Sequence, residues 1–294
     1  MKNYKLLLGL MIASSVISCK NNEKADGYGN FEATEITVSA ENHGKLIQFI
    51  VEEGQTIKSN QIVGYIDTIP LNLKKEQLLV SKNVVSSKSK GVLSQINVLN
   101  AQLKTAKISK NRIENLLKEN AATKQQLDDI DGKIDVLNNQ IRSIEIQNAP
   151  VVNELKNIDV QIQQIDDQLE KSIIENPING TVLAKYAEPN EITSFGKPLY
   201  KIADLTTMQL RVYISEKQLS SIKIGQEVTV KIDDENGLKN YSGTIFWIAS
   251  EAEFTPKIIQ TKEERVNLVY AVKIDVKNDG SLKIGMPAEM WLSE

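Results

Sequence analysis

Leu127-Asp128-Asp129-Ile130-Asp131-Gly132-Lys133-Ile134-Asp135-Val136-Leu137 opens a stretch, continuing to Leu169, in which apolar residues recur at alternating spacings of three and four. One row holds Leu127, Ile134, Ile141, Asn148, Leu155, Ile162 and Leu169. The other holds Ile130, Leu137, Ile144, Val151, Ile158, Ile165 and Ser172. This is the signature of a helix whose seam faces a partner helix. Only Asn148 and Ser172 break the pattern, and a helix lying on a globular core rarely keeps so narrow a stripe for so long. The partner lies upstream: Leu71, Leu78, Val85, Val92, Leu99, Ala106 and Ile113 form a comparable row, joined by Ile96, Leu103 and Leu117 in its outer half. Between the two runs Glu119-Asn120-Ala121-Ala122-Thr123 is too short to send the helices anywhere except back along each other, so the prediction is an antiparallel hairpin. Thr123 followed by Gln126 fits a capping box at the start of the returning helix. At 1.5 Å per residue, arms of this length reach roughly 70 Å.

Two residues interrupt the regularity at matching distances from the turn. Pro150 falls inside the returning helix, where it removes a hydrogen bond and crowds the carbonyl four residues back. Gly91 falls almost opposite on the outgoing arm. On the domain side of Gly91 the second seam of that arm becomes Lys75, Lys82 and Ser89, which predicts looser pairing there. A kink or hinge at Gly91 and Pro150 is the expectation.

The hairpin is flanked by short alternating segments punctuated by glycine. Before it come Ile36–Ala40, Leu46–Val51 and Ile62–Ile66, with Gly44, Gly54 and Gly64 between or within them. After it, Pro177-Ile178-Asn179-Gly180-Thr181-Val182 mirrors Ala40 to Leu46. Asn190-Glu191-Ile192 mirrors the segment from Gly54 to Ile57, and Lys197 to Asp204 mirrors Asn60 to Asp67. One internal repeat has been cut apart by the hairpin. Each half resembles half of a biotinyl/lipoyl carrier domain. Carriers hold their cofactor on a lysine at the turn between the halves; here the turn after Ile66-Asp67-Thr68 opens into the hairpin, and no such lysine motif is present, so no cofactor is expected. The last third alternates again, in Gln209–Ile214, Glu227–Ile232, Gly243–Ile248 and Leu268–Val276, which favours a small closed barrel.

At the other end, Met1–Lys5 is a short basic region and Leu6–Ile17 an apolar stretch too short for an ordinary membrane span, together reading as a signal peptide. Val16-Ile17-Ser18-Cys19 resembles a bacterial lipobox, with valine in the place where leucine is usual. That resemblance implies acylation of Cys19 and a polar tether after it. One His and one Cys leave too few soft ligands for a zinc centre, and metal chemistry is not expected. His43, beside Gly44, reads as a turn residue. Lys+Arg of 35 against Asp+Glu of 38, interspersed and without a concentrated basic run, gives nucleic acid nothing to bind. Aromatic residues at 5% are sparse for several compact cores, which suits an elongated molecule. No nucleophile, base and orienter recur at a diagnostic spacing, so the chain is not read as an enzyme.

With Gly44-Lys45-Leu46-Ile47, Gly54-Gln55-Thr56-Ile57, Leu199–Asp204 and Leu282-Lys283-Ile284-Gly285-Met286-Pro287-Ala288 in view, the chain resembles the HlyD-like periplasmic adaptors, or membrane-fusion proteins. The run Phe254-Thr255-Pro256-Lys257, continuing to Arg265, is similar to adaptors paired with ABC-type exporters. The expected fold is α+β: a coiled-coil hairpin (70–172) inserted into a split lipoyl-like β-domain (31–69 and 173–205), then a β-barrel (206–294), after a signal peptide (1–18) and a lipidated tether (19–30). The resemblance implies an adaptor linking an inner-membrane transporter to an outer-membrane channel, anchored by lipid in the envelope and assembled as a hexamer. It also implies that the hairpin tip docks on the channel through an arginine, a leucine four residues on and a small hydroxyl residue seven beyond that, here Arg112, Leu116 and Thr123. Each has a plainer reading beside this one: Arg112 as a solvated charge, Leu116 as a neighbour of Leu117 in the seam, Thr123 as a helix cap. The alternative at the level of the whole chain is a scaffolding lipoprotein with no part in transport.

Overall fold

The computed structural model describes residues 24–235, 237–254 and 268–292; Cys19, the leader before it and most of the run from Phe254 to Arg265 lie outside them. The described chain opens with β1 (Gly27–Glu32), followed by β2 (Glu35–Ser39), β3 (Gly44–Phe49), β4 (Thr56–Ile57) and β5 (Ile62–Ile66). Two long helices come next, α1 (Ile69–Lys118) and α2 (Lys124–Glu170), and then β6 (Ile173–Glu175), β7 (Gly180–Lys185), β8 (Ile192–Thr193) and β9 (Pro198–Ala203).

Strands β2 to β9 make two four-stranded sheets, in the orders β2-β9-β7-β4 and β6-β5-β3-β8. Each sheet takes its two central strands from one side of the helical insertion and its two edge strands from the other, so neither half can complete a sheet alone. The repeat is written into the backbone. Gly54 (φ 79°) and Asn60 (φ 60°) in the first half correspond to Asn190 (φ 75°) and Gly196 (φ 81°) in the second, with glycine and asparagine trading the left-handed positions that these two residue types tolerate best. The hydrogen bonds between halves are reciprocal. The Gly54 N–H donates to the Val182 carbonyl at 2.9 Å and that of Asn190 to Leu46 at 2.7 Å, while Leu46 donates to Glu191 and Val182 to Gln55. Leu46, Ile57, Ile66, Val182, Leu199 and Tyr200 fill the space between the sheets.

The hairpin leaves this domain from two paired strands. Gly64 of β5 stands opposite Ile174 of β6, Tyr65 opposite Ile173, and the Ile66 N–H donates to the Ser172 carbonyl at 2.8 Å, which places both ends of the insertion side by side. Helix α1 begins where the Asp67 carboxylate accepts the Ile69 N–H at 2.9 Å, with Pro70 in the first turn, where a missing N–H goes unnoticed. Beyond it α1 and α2 pack antiparallel. In the outer half Leu103, Ala106 and Leu137 form a buried cluster with Leu99, Ile130, Ile134 and Ile141 around it.

The inner half differs from expectation. Lys75 and Lys82 do not loosen the pairing: they reach Asp166 and Asp159, each at 2.6 Å, and the Ser89 hydroxyl donates to the Asn148 side chain at 3.2 Å. A polar seam on one arm meets acidic or amide residues on the other, and lysine stems can cover apolar surface while their charges remain wet. Both helices continue through Gly91 and Pro150, and Val151 and Ile96 stay buried close by. Pro150 is exposed, so the carbonyl it leaves unbonded, that of the exposed Ile146, can turn to water.

The C-terminal part is a closed six-stranded barrel. It comprises β10 (Thr207–Ser215), β11 (Glu227–Asp234), β12 (Gly237–Ile248), β14 (Leu268–Lys277), β15 (Pro287–Leu292) and the distant β1. The order is β10-β1-β15-β11-β12-β14, with β14 pairing back on β10; the two-residue β13 (Glu253–Phe254) extends β14 and the short α3 (Glu216–Leu219) follows β10. Inward residues such as Phe31, Leu210, Val230, Ile245 and Ile274 are wholly buried or nearly so. The domain boundaries expected at the N-terminal end therefore shift. Residues 27–32, divided above between tether and β-domain, are a barrel strand that pairs with β10 on one side and β15 on the other. Their polar, glycine-containing sequence disguises this, because Phe31 is their one large buried side chain. Gly29 is there for close approach: a Cβ on it would lie 1.8 Å from the Arg211 carbonyl oxygen.

Candidate functional site

Among the described residues no cluster of three or more His, Cys, Asp or Glu is arranged to hold a metal ion. The place where a carrier domain would display its lysine is used to start α1. His43 lies in the loop before β3, its N–H donating to the Asn42 side chain. What the fold does position is a hairpin tip at one end of a long lever and a rigid root at the other.

At the tip, α1 ends with the Ala121 N–H returning to the Leu116 carbonyl at 2.8 Å, and Asn120 takes a left-handed conformation (φ 56°) to reverse the chain. Thr123 then caps α2. Its hydroxyl oxygen accepts the Gln126 N–H at 3.3 Å, and its own N–H donates to the Gln126 side chain at 2.9 Å, completing the capping box. Capping uses the hydroxyl as acceptor and leaves its proton free to donate outward. Leu116 is 38% exposed, whereas its neighbour Leu117 is more covered, so the two leucines divide the work: Leu117 faces the other arm and Leu116 faces out. Arg112 is exposed one turn below Leu116. Nearby, Lys110 joins the arms through Asp131 at 2.7 Å. Its hydrogen bond to Asp131 raises its pKa against the cost of desolvation, with lesser coulombic help from Asp131 and Glu114. Arg112 and Leu116 are thus exposed near the end of α1 and Thr123 caps the start of α2, while Lys110 and Asp131 tie the two arms close by.

The root holds residues that the sequence pattern could not single out. Asn42 is buried and donates to both the Gln168 carbonyl and the Ser172 hydroxyl at 2.9 Å, while that hydroxyl donates to Gln168 at 2.8 Å. Ser172, one of the two breaks in the seam, is therefore the tie between α2 and the loop before β3. The other break, Asn148, is the acceptor for Ser89. In the sequence the only sign of either was a polar residue at an otherwise apolar register. Lys171 beside the root has a raised pKa, first through its hydrogen bond to Asp167, at 2.8 Å.

No protein-family model matches the chain. It is 28% identical over 294 residues to the UPF0194 membrane protein YbhG of Salmonella arizonae, an alignment that covers 91% of this chain and 88% of the relative. Among solved structures, MacA from Actinobacillus actinomycetemcomitans superposes with a TM-score of 0.56 at 19% identity, covering 90% of this chain and 76% of MacA. The membrane fusion protein Spr0693 from Streptococcus pneumoniae R6 gives a TM-score of 0.50 at 18% identity, covering 91% of this chain and 97% of its own. The chain has the fold of the periplasmic adaptor, or membrane-fusion, proteins. In this chain the hairpin rises from the paired strands β5 and β6 of the split β-domain. Among the described residues no helix is long and apolar enough to cross a membrane.

Proposed function

We propose that this chain is the adaptor subunit of a tripartite export system, bridging an inner-membrane transporter and an outer-membrane channel. The observation that carries the reading is the hairpin: two packed helices rising from adjacent paired strands, in a chain with the adaptor fold and a lipobox-like Cys19 at its start. Acylated Cys19 holds the chain to the inner membrane from the periplasmic side. From there the β-units face the transporter, and the tip meets the channel roughly 70 Å away. The lipoyl-like domain binds no cofactor in this reading; it serves as a rigid mount. The transporter is of ABC type, a choice supported by the run from Phe254 to Arg265. Six copies form a ring around the export path, as the family resemblance implies. Gly91 and Pro150 let the tip settle on its partner.

At the tip, Leu116 fills an apolar groove between channel helices while Arg112 and Thr123 hydrogen-bond to polar groups beside it. A charge at Leu116 is compatible with the fold, because the side chain is already more than a third exposed and the capping bond uses only its carbonyl. Leu116→Glu should therefore leave thermal stability within about 0.5 kcal/mol of the parent, while abolishing both export and crosslinking of the tip to the channel. Unchanged export together with unchanged crosslinking would remove the docking assignment.

A further inference from the structure

The barrel is built with the same turn at both ends. Lys223-Ile224-Gly225-Gln226 leads into β11 and Lys283-Ile284-Gly285-Met286 into β15, each closed by a hydrogen bond from its fourth residue to its lysine carbonyl at 3.1 Å. Gly225 and Gly285 both take left-handed conformations, φ 87° and 82°. Each turn is bonded to a neighbouring strand in the same manner. The Gly225 N–H donates to the Ile245 carbonyl at 2.7 Å and the Ile245 N–H to Gln226, while the Gly285 N–H donates to the Phe31 carbonyl at 2.7 Å and the Phe31 N–H to Met286. Ile245 and Phe31 are both wholly buried, so the two ends match in backbone and in core.

They differ in what stands outside. After Phe31 the chain continues as Glu32-Ala33; after Ile245 it continues as Phe246-Trp247. The register of β12 against β14 shifts between Ile245 and Trp247, and this bulge turns two consecutive side chains outward where a regular strand would point one of them inward. Phe246 is 36% exposed and Trp247 38%, and Ile224, on the turn beside them, is 67% exposed. Because the matching end carries Glu32 and Ala33 instead, the barrel does not require aromatic residues there, and the reason for them lies outside the chain. Cations rim the patch. Lys223 is exposed next to Ile224, and the Lys273 ammonium lies 5.8 Å from the centre of the Trp247 ring.

The position of this end indicates what covers it. Gly27 stands opposite Met290, Leu292 opposite Val228 and Glu227 opposite Thr244, so the start of β1, the turn at Ile224 and Phe246 share one end of the barrel. Both passages to the split β-domain, from Glu32 to Glu35 and from Ala203 to Thr207, leave from the other end. Asp26 is fixed at the first end by three bonds: its N–H donates to the Met290 carbonyl at 3.0 Å, its carboxylate accepts the Leu292 N–H at 2.9 Å, and its carbonyl accepts the Gln218 side chain at 2.7 Å. Asp26 is seven residues beyond Cys19, a span of at most about 25 Å. An acylated Cys19 therefore keeps the bilayer within reach of this end.

We infer that Ile224, Phe246 and Trp247 rest in the headgroup layer of the bilayer that holds the acyl chains. The inference depends on the lipid anchor of the proposed function and adds to it a second, non-covalent contact, which sets this end of the barrel against the membrane. Tryptophan favours that layer because its ring is apolar and its N–H is polar, and lysines beside it can lay their stems along apolar surface while their charges stay in water.

The test is quenching of tryptophan fluorescence by brominated lipid, with the lipidated full chain reconstituted in vesicles of phosphatidylethanolamine and phosphatidylglycerol. Trp291→Phe leaves Trp247 as the chain's one tryptophan. Its emission should move to shorter wavelength on reconstitution and be quenched by lipid brominated near the headgroup end of the acyl chains. Adding Ile224→Glu and Phe246→Glu, both at exposed positions, should abolish the quenching without lowering the melting temperature. A reporter on the matching turn, Ile284→Trp in a chain that also carries Trp247→Phe and Trp291→Phe, should stay unquenched. The inference is overturned if Trp247 in the membrane-bound chain is not quenched, if both ends are quenched equally, or if the two glutamates leave the quenching unchanged. Shielding of Trp247 that appears only when a transporter is reconstituted alongside would also overturn it and give the patch to a protein. The mass of the mature chain reads acylation of Cys19 separately: an unacylated chain removes the anchor, whereas quenching measured on that same chain added to vesicles still decides the contact.

Discussion

Thr193 occupies in the second half of the β-domain the place that Ile57 occupies in the first. Both are buried, but among the described residues the Thr193 hydroxyl has no hydrogen-bond partner. A buried hydroxyl without a partner carries its desolvation cost uncompensated, and valine has nearly the same shape. Thr193→Val is expected to raise unfolding stability by about 1 kcal/mol, read from the urea midpoint; a fall would mean that the hydroxyl has a partner after all. The other polar residues buried as deeply, Asn42, Ser89, Ser172 and Asn176, are matched. Asn176 donates to the Lys58 carbonyl at 2.9 Å and accepts from the Tyr200 hydroxyl at 2.9 Å. Burial pushes the Tyr200 pKa upward, so the phenol stays protonated and remains a donor. Asn42 and Ser172 do the same at the hairpin root, joining elements more than a hundred residues apart in the chain.

At the scale of the element, the hairpin is held by a thin seam. Its best-covered apolar residues on α2, Leu137, Val151, Ile158 and Ile165, all belong to one of the two rows read from the sequence. The ion pairs of the inner half are partly solvated, and pairs of that kind contribute roughly 0.2–1 kcal/mol each. Their larger effect is on register, since Lys75 and Lys82 are seven residues apart and so are Asp166 and Asp159. Pro150 weakens α2 without ending it. Pro150→Ala restores the bond to the Ile146 carbonyl and should stabilise the helix by about 1–3 kcal/mol. Slower amide exchange in the turns around residue 150 would register this gain. If Gly91 and Pro150 are a hinge, the stiffer variant exports less although it is more stable; full export would take the hinge role away.

At the scale of the whole molecule, the insertion looks separable because β5 and β6 pair directly beneath it. Replacing residues 67–171 with a two-residue Asn-Gly turn should leave a soluble chain with β-type circular dichroism and a cooperative melt, since Ile66 and Ser172 are paired and Asn-Gly suits a tight hairpin between antiparallel strands. Loss of folding would show that the long helices are needed to assemble the two interlocked sheets. The barrel is less separable. Its strand β1 comes from the other end of the chain, and without it β10 and β15 would both expose an edge.

The heptad rows, the short turn and the cap at Thr123 were legible because they are local, repeating consequences of helix geometry, in which residues three and four apart share a face. The internal repeat was legible for a similar reason, its glycines and asparagines marking the same turns twice. Tertiary structure alone decided the rest. That Gly27–Glu32 closes the barrel depends on strands roughly 180 and 260 residues away and on a glycine whose function is the absence of a side chain. That Lys75 and Lys82 secure the inner hairpin depends on which residues of α2 stand opposite, a matter of register between helices. A sequence read one helix at a time gives the spacing of each row but not the partner it meets, because pairing is fixed by the turn and by the packing of both arms together.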